Sequence, residues 1–101
     1  MEILQKGTTP NGVNIQIEDW SKNYPKTFGY GTTIALYPTA KRSVNKGGFE
    51  YPKMNERFRL SFDVQNNFQA KEIFEKFLSG EMDILDCKYF ISDKRLLEAI
   101  L

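Results

Sequence analysis

The stretch "RFRLSFDVQNNFQAKEIFEKFLSG", residues 57–80, constrains the fold more than any other part of the chain. Phe58, Leu60, Phe62 and Val64 alternate with Arg57, Arg59, Ser61, Asp63 and Gln65. That period of two predicts a strand with one buried face. The pattern then changes without a spacer. Asn66 in the N-cap position, with Gln69 three residues on, is a helix-start signal of the capping-box kind. Ala70, Ile73, Phe74, Phe77 and Leu78 follow at helical spacing, and Gly80 stands where a helix ends in the left-handed conformation. A one-faced strand leading straight into a one-faced helix requires the helix to cover a sheet.

Upstream segments supply the rest of that sheet. "EILQK", "GTTPNG" and "VNIQIEDW" read as a hairpin, with Pro10 suited to the second position of the turn and Gly12 to the positive φ that closes it. Val13, Ile15 and Ile17 share one face of its second arm; Asn14, Gln16 and Glu18 share the other. "SKNYPKTFG" reads as a loop, because Pro25 blocks a helix. Thr32 to Tyr37 is a β-prone run stopped by Pro38, and residues 39–53 carry no period and are predicted as a long loop. After Gly80, "EMDILDC" predicts a further helical turn and "KYFI" a short extended piece. Ser92 is expected to cap a last helix carrying Leu96, Leu97, Ile100 and Leu101. The expected class is α+β: an antiparallel sheet of about four strands packed on one or two C-terminal helices. A chain of 101 residues implies one domain, residues 1–101.

The chemistry available is narrow. The chain has no histidine, which removes the commonest general base, the Ser-His and Cys-His nucleophile pairs and the usual zinc sites. Cys87, the single cysteine, excludes an internal disulfide and follows an acidic run that would raise its pKa. "NKGG" has its lysine before the glycines, unlike a phosphate-binding loop, and reads as a flexible turn. Glu81, Asp83 and Asp86 lack the spacing of a calcium loop. Glu18 and Asp19, as strand neighbours, point to opposite faces and cannot converge on a substrate. The expectation is a protein that is not an enzyme, with no cofactor and no metal. "MEILQKGTTP" lacks the character of a signal peptide and no segment is apolar enough to span a bilayer, so the expected location is cytoplasmic, without membrane contact. Use of Lys, Asn, Ile, Phe and Tyr suggests an AT-rich genome, of a bacterium, phage or mobile element.

Charge is unevenly spread. Formal net charge is only +1, yet residues 22–59 carry eight basic groups against Glu50 and Glu56, between acidic ends. Within this basic middle, "KTFGYG" (Lys26 to Gly31) resembles the aromatic–glycine–aromatic signature of RNA recognition motifs and cold-shock domains, with Trp20 a few residues upstream. The resemblance implies Phe28 and Tyr30 as base-stacking rings and Lys26 near a phosphate. The sequence departs from those signatures at Thr27, Gly31 and Thr33.

A family-independent site is predicted on the outward sheet face, where Trp20, Tyr37, Arg57 and Arg59 would lie beside Lys41, Arg42 and Lys46 of the loop. Trp, Tyr and Arg are the residues that anchor protein interfaces. The expected function is a small protein-binding module, an accessory or inhibitor protein. The alternative is single-stranded nucleic-acid binding through the same residues. Glu18 and Asp63 on that face would repel phosphate and favour an ordinary solvated sheet face over a nucleic-acid surface. The apolar load of the last helix also suits a homodimer.

Overall fold

The computed structural model describes residues 1–22, 31–89 and 94–101. In chain order its elements are β1 (Glu2–Thr8), β2 (Asn14–Asp19), β3 (Thr32–Tyr37), β4 (Asn45–Lys46), β5 (Phe49–Glu50), β6 (Leu60–Val64), helix α1 (Asn67–Ser79), a 3-10 helix (Ile84–Tyr89) and helix α2 (Lys94–Ile100). Strands β1, β2, β3 and β6 form one sheet in that order, antiparallel at every joint, while β4 and β5 make a separate hairpin. The α+β class, with a four-stranded antiparallel sheet packed on helix, is therefore the observed one.

The β1–β2 turn forms as its residues dictate. Gly12 N donates to Thr9 O at 2.9 Å, Pro10 takes the second position, and Gly12 adopts φ +82°. Register then stacks apolar residues in rows. Ile17, Ile34 and Phe62 lie side by side across β2, β3 and β6, as do Ile15, Leu36 and Leu60 in the next row. Helix α1 covers this face with Ala70, Phe74 and Phe77, all fully buried. Edge strand β1 passes close to α1 at Gly7. A Cβ there would sit 2.8 Å from Leu78 Cδ2 and 3.0 Å from Phe74 Cζ.

Both ends of α1 follow the sequence signals. Asn66 Oδ1 accepts from Gln69 N at 2.8 Å, and Gly80 closes the helix at φ +82° with its N–H on Phe77 O. The returning half of the capping box is displaced by one residue: Gln69 Oε1 accepts from Gln65 N.

Three expectations need correction. Residues 39–53 are not featureless, for "NKGGFE" folds into the β4–β5 hairpin, with Gly47 and Gly48 both at positive φ. The strand expected over 57–65 is shorter, because Arg57 makes an isolated bridge to Thr39 and the ladder to β3 begins at Leu60. Lys88 and Tyr89 end the 3-10 helix rather than starting an extended piece. The rest of that piece, the Ser92 cap and most of the 21–29 loop lie outside the described residues.

A second apolar cluster lies beside the first. Ala40, Val44, Phe58 and Leu60 pack with Ala99 and Ile100 of α2, and Ile84 contacts both clusters. The C-terminal helix thus places Ala99 and Ile100 in this chain's own core, leaving Leu101 64% exposed. Lys41 N donates to Ala99 O at 2.7 Å, tying loop to helix. No helix among the described residues is long and apolar enough to cross a membrane.

Candidate functional site

On the sheet face away from α1, period two brings Gln16 and Glu18 of β2, Tyr37 of β3 and Arg59 just before β6 to the same side. Trp20 joins them because the chain remains extended past β2, where Trp20 N donates to Gly31 O at 2.7 Å. Glu18 is the centre. Its side chain is fully buried, and Arg59 grips it with two hydrogen bonds, Nη2 to Oε1 at 2.6 Å and Nη1 to Oε2 at 2.8 Å. Trp20 Nε1 donates to Oε1 at 2.9 Å, and Gln16 Nε2 donates to Oε2. Arg59 Nη1 also donates to the Tyr37 hydroxyl at 2.7 Å, and the guanidinium lies 5.8 Å from the centre of the Tyr37 ring.

The energetics follow from this saturation. Burial alone would raise the Glu18 carboxyl, but hydrogen bonds from Arg59, Gln16 and Trp20 and the charge of Arg59 outweigh it, holding the group at about 2. Arg59 is correspondingly shifted further up, chiefly by its hydrogen bonds to Glu18. Nearby, Thr33 Oγ1 donates to Asp63 Oδ1 at 2.9 Å. Among the described residues no buried side-chain nitrogen or oxygen lacks a hydrogen-bond partner.

The predicted site residues separate into two groups. Trp20, Tyr37 and Arg59 converge on Glu18, a residue that sequence reasoning placed on this face but treated only as a repulsive charge. Arg57 sits apart, exposed at the Thr39 bridge. Lys41, Arg42 and Lys46 belong to the loop that roots on the second apolar cluster, through buried Val44 and Pro52 and the pair of bonds between Val44 and the Tyr51–Pro52 backbone. All three are exposed, and Lys46 Nζ lies 3.3 Å from Glu98 of α2. Sequence reasoning missed the loop's exposed apolar residues: Phe49, on the hairpin, is 69% exposed and Met54, beyond it, 62%. The signal available was the pair of adjacent glycines, which projects Phe49 from a tight turn. The "KTFGYG" residues before Gly31 lie outside the described residues.

No family model, curated protein or solved structure matches the chain.

Burial, with Asp86 and Asp83 adding to it, pushes the Cys87 thiol up to about 12, which suits a packed core residue and not a nucleophile. Asp83 Oδ1 accepts from Ile84 N and Asp86 Oδ2 from Asp83 N, so these carboxylates organise the start of the 3-10 helix. Asp19 turns away from Glu18 and accepts from Ser21 N at 2.9 Å.

Proposed function

We propose that this chain is a small, non-catalytic binding module acting through protein contacts, as an accessory or inhibitor protein. Its recognition surface combines the Trp20/Tyr37/Arg59 face, Arg57 and the basic loop with Lys41, Arg42 and Lys46. The observation that carries this reading is the state of Arg59. Its charge is matched by a buried carboxylate, so it offers little to a phosphate. Held rigidly against Tyr37 beside Trp20, it presents the amphipathic, low-entropy surface on which protein interfaces are anchored. Exposed Phe49 and Met54 on the adjoining loop add apolar contact. A cytoplasmic location and an origin in a bacterium, phage or mobile element belong to the same proposal.

The test is affinity capture from the native host with single variants. Arg57→Glu, Arg42→Glu and Phe49→Ala change exposed positions; Arg59 is a poor probe, since its loss strips Glu18 of its partner. A partner retained equally by all three variants places the surface elsewhere.

Single-stranded nucleic-acid binding is the second reading. It draws on Lys41, Arg42, Lys46, Lys53 and Arg57, all exposed, against Glu50 and Glu56. Titrating labelled DNA and RNA strands at two ionic strengths decides it. Phosphate-driven binding weakens steeply with salt, and no binding at low salt eliminates it.

A further inference from the structure

An open cleft of about 170 Å³ lies where the β1–β2 turn meets the end of α1 and the segment after it. Its walls are mainly apolar, from Val13, Leu36, Phe77, Met82 and Ile84, with Asp83 at the rim. Glu81 and Asp86, both exposed, flank that rim in sequence. The size is informative. It falls below the roughly 300–1,000 Å³ of small-molecule sites. It matches the about 150 Å³ of an apolar cavity known to hold one benzene ring. The cleft therefore suits a single aromatic side chain approached by positive charge.

This chain displays such a group. Phe49 stands 69% exposed on the β4–β5 hairpin, directly across from Lys46 in the register. Glu50 beside it, and Glu98 paired with Lys46, offset part of the local charge, but Lys41, Arg42, Lys46 and Lys53 leave the loop net positive. Phe68 is also exposed, at 78%, but Asn66, Asn67 and Gln69 around it are uncharged. Net charge therefore favours Phe49 as the group that meets an acidic rim.

We propose that the cleft is the receptor for Phe49 of a second copy of this chain, with the Lys46/Arg42/Lys53 loop meeting the Glu81/Asp83/Asp86 rim. The contact is head-to-tail: knob and socket are different surfaces, so each copy can give and receive. It uses the loop assigned above to partner contacts but leaves the Trp20/Tyr37/Arg59 face open. Self-association of purified chain tests it independently of any host partner.

Sedimentation velocity over a concentration series is the experiment. The expected result is concentration-dependent association that weakens with added salt. Phe49→Ala should weaken it by about tenfold or more, as for an interface anchor, while Phe68→Ala leaves it unchanged. Asn11→Trp, at an exposed rim position, and Glu81→Lys should weaken it on the socket side. Circular dichroism of each variant separates loss of fold from loss of contact. Mixing Phe49→Ala, which keeps its socket, with Asn11→Trp, which keeps its knob, should restore a heterodimer that neither forms alone. A chain that stays monomeric at all concentrations overturns the proposal. So does association that Phe49→Ala and Asn11→Trp leave intact, or that Phe68→Ala abolishes.

Discussion

Glu18 and Arg59 set the strongest single-residue expectation. Removing the guanidinium leaves a fully buried carboxylate without its main partner, so Arg59→Ala should destabilise the fold toward the lower end of about 3–5 kcal/mol, Arg59 itself being partly exposed. The pH dependence has a definite sign. The folded-state carboxyl titrates near 2 against an ordinary value of 4.5, so its stabilising contribution is complete above 4.5 and is lost as pH falls toward 2. Urea denaturation at pH 3 and pH 7 should show this loss in the natural chain and a shallower one in Glu18→Gln. Cys87 gives a second expectation: with its thiol buried and raised to about 12, native protein should resist alkylation at pH 8, while denatured protein takes up one equivalent. Rapid labelling of the native chain would contradict this. The Glu18–Arg59 pair was half legible in the sequence. Strand alternation puts both residues on one face, but β3 lies between β2 and β6, and a strand order is not written in any local pattern.

At the scale of elements, the sheet and α1 were readable because each repeats its pattern over several residues, and the signals at Asn66 and Gly80 mark the helix ends. The β4–β5 hairpin was not, since two-residue strands are too short to show a period. Edge strand β1 was visible, but not its close approach to α1 at Gly7. Gly7→Ala should therefore cost about 1–3 kcal/mol by overpacking against Leu78 and Phe74. Asn66→Ala should cost about 1 kcal/mol through the lost N-cap. Thermal denaturation of both variants checks the order. A loss at position 7 no larger than that of Lys6→Ala, at an exposed position of the same strand, would mean the edge relaxes freely.

For the molecule as a whole, sequence charge blocks became surfaces only in part. The basic middle survives as an exposed loop, yet Arg59 is internally matched and Lys46 shares its charge with Glu98. Exposed charge and apolar surface from the middle of the chain therefore lie on the loop more than on the sheet face. The two apolar clusters, joined through Ile84, divide the chain differently from its sheet. One holds the sheet and α1; the other holds the loop to α2 through a few residues and the Lys41–Ala99 bond. The smaller unit, held to the sheet through Leu60 and Ile84, should open before the larger. Amide hydrogens of Lys41, Val44 and Tyr51 should then exchange with solvent deuterium well before those of Ile17 and Ile34. A loop built this way can be rearranged at the cost of a local opening, while the sheet that carries it stays folded.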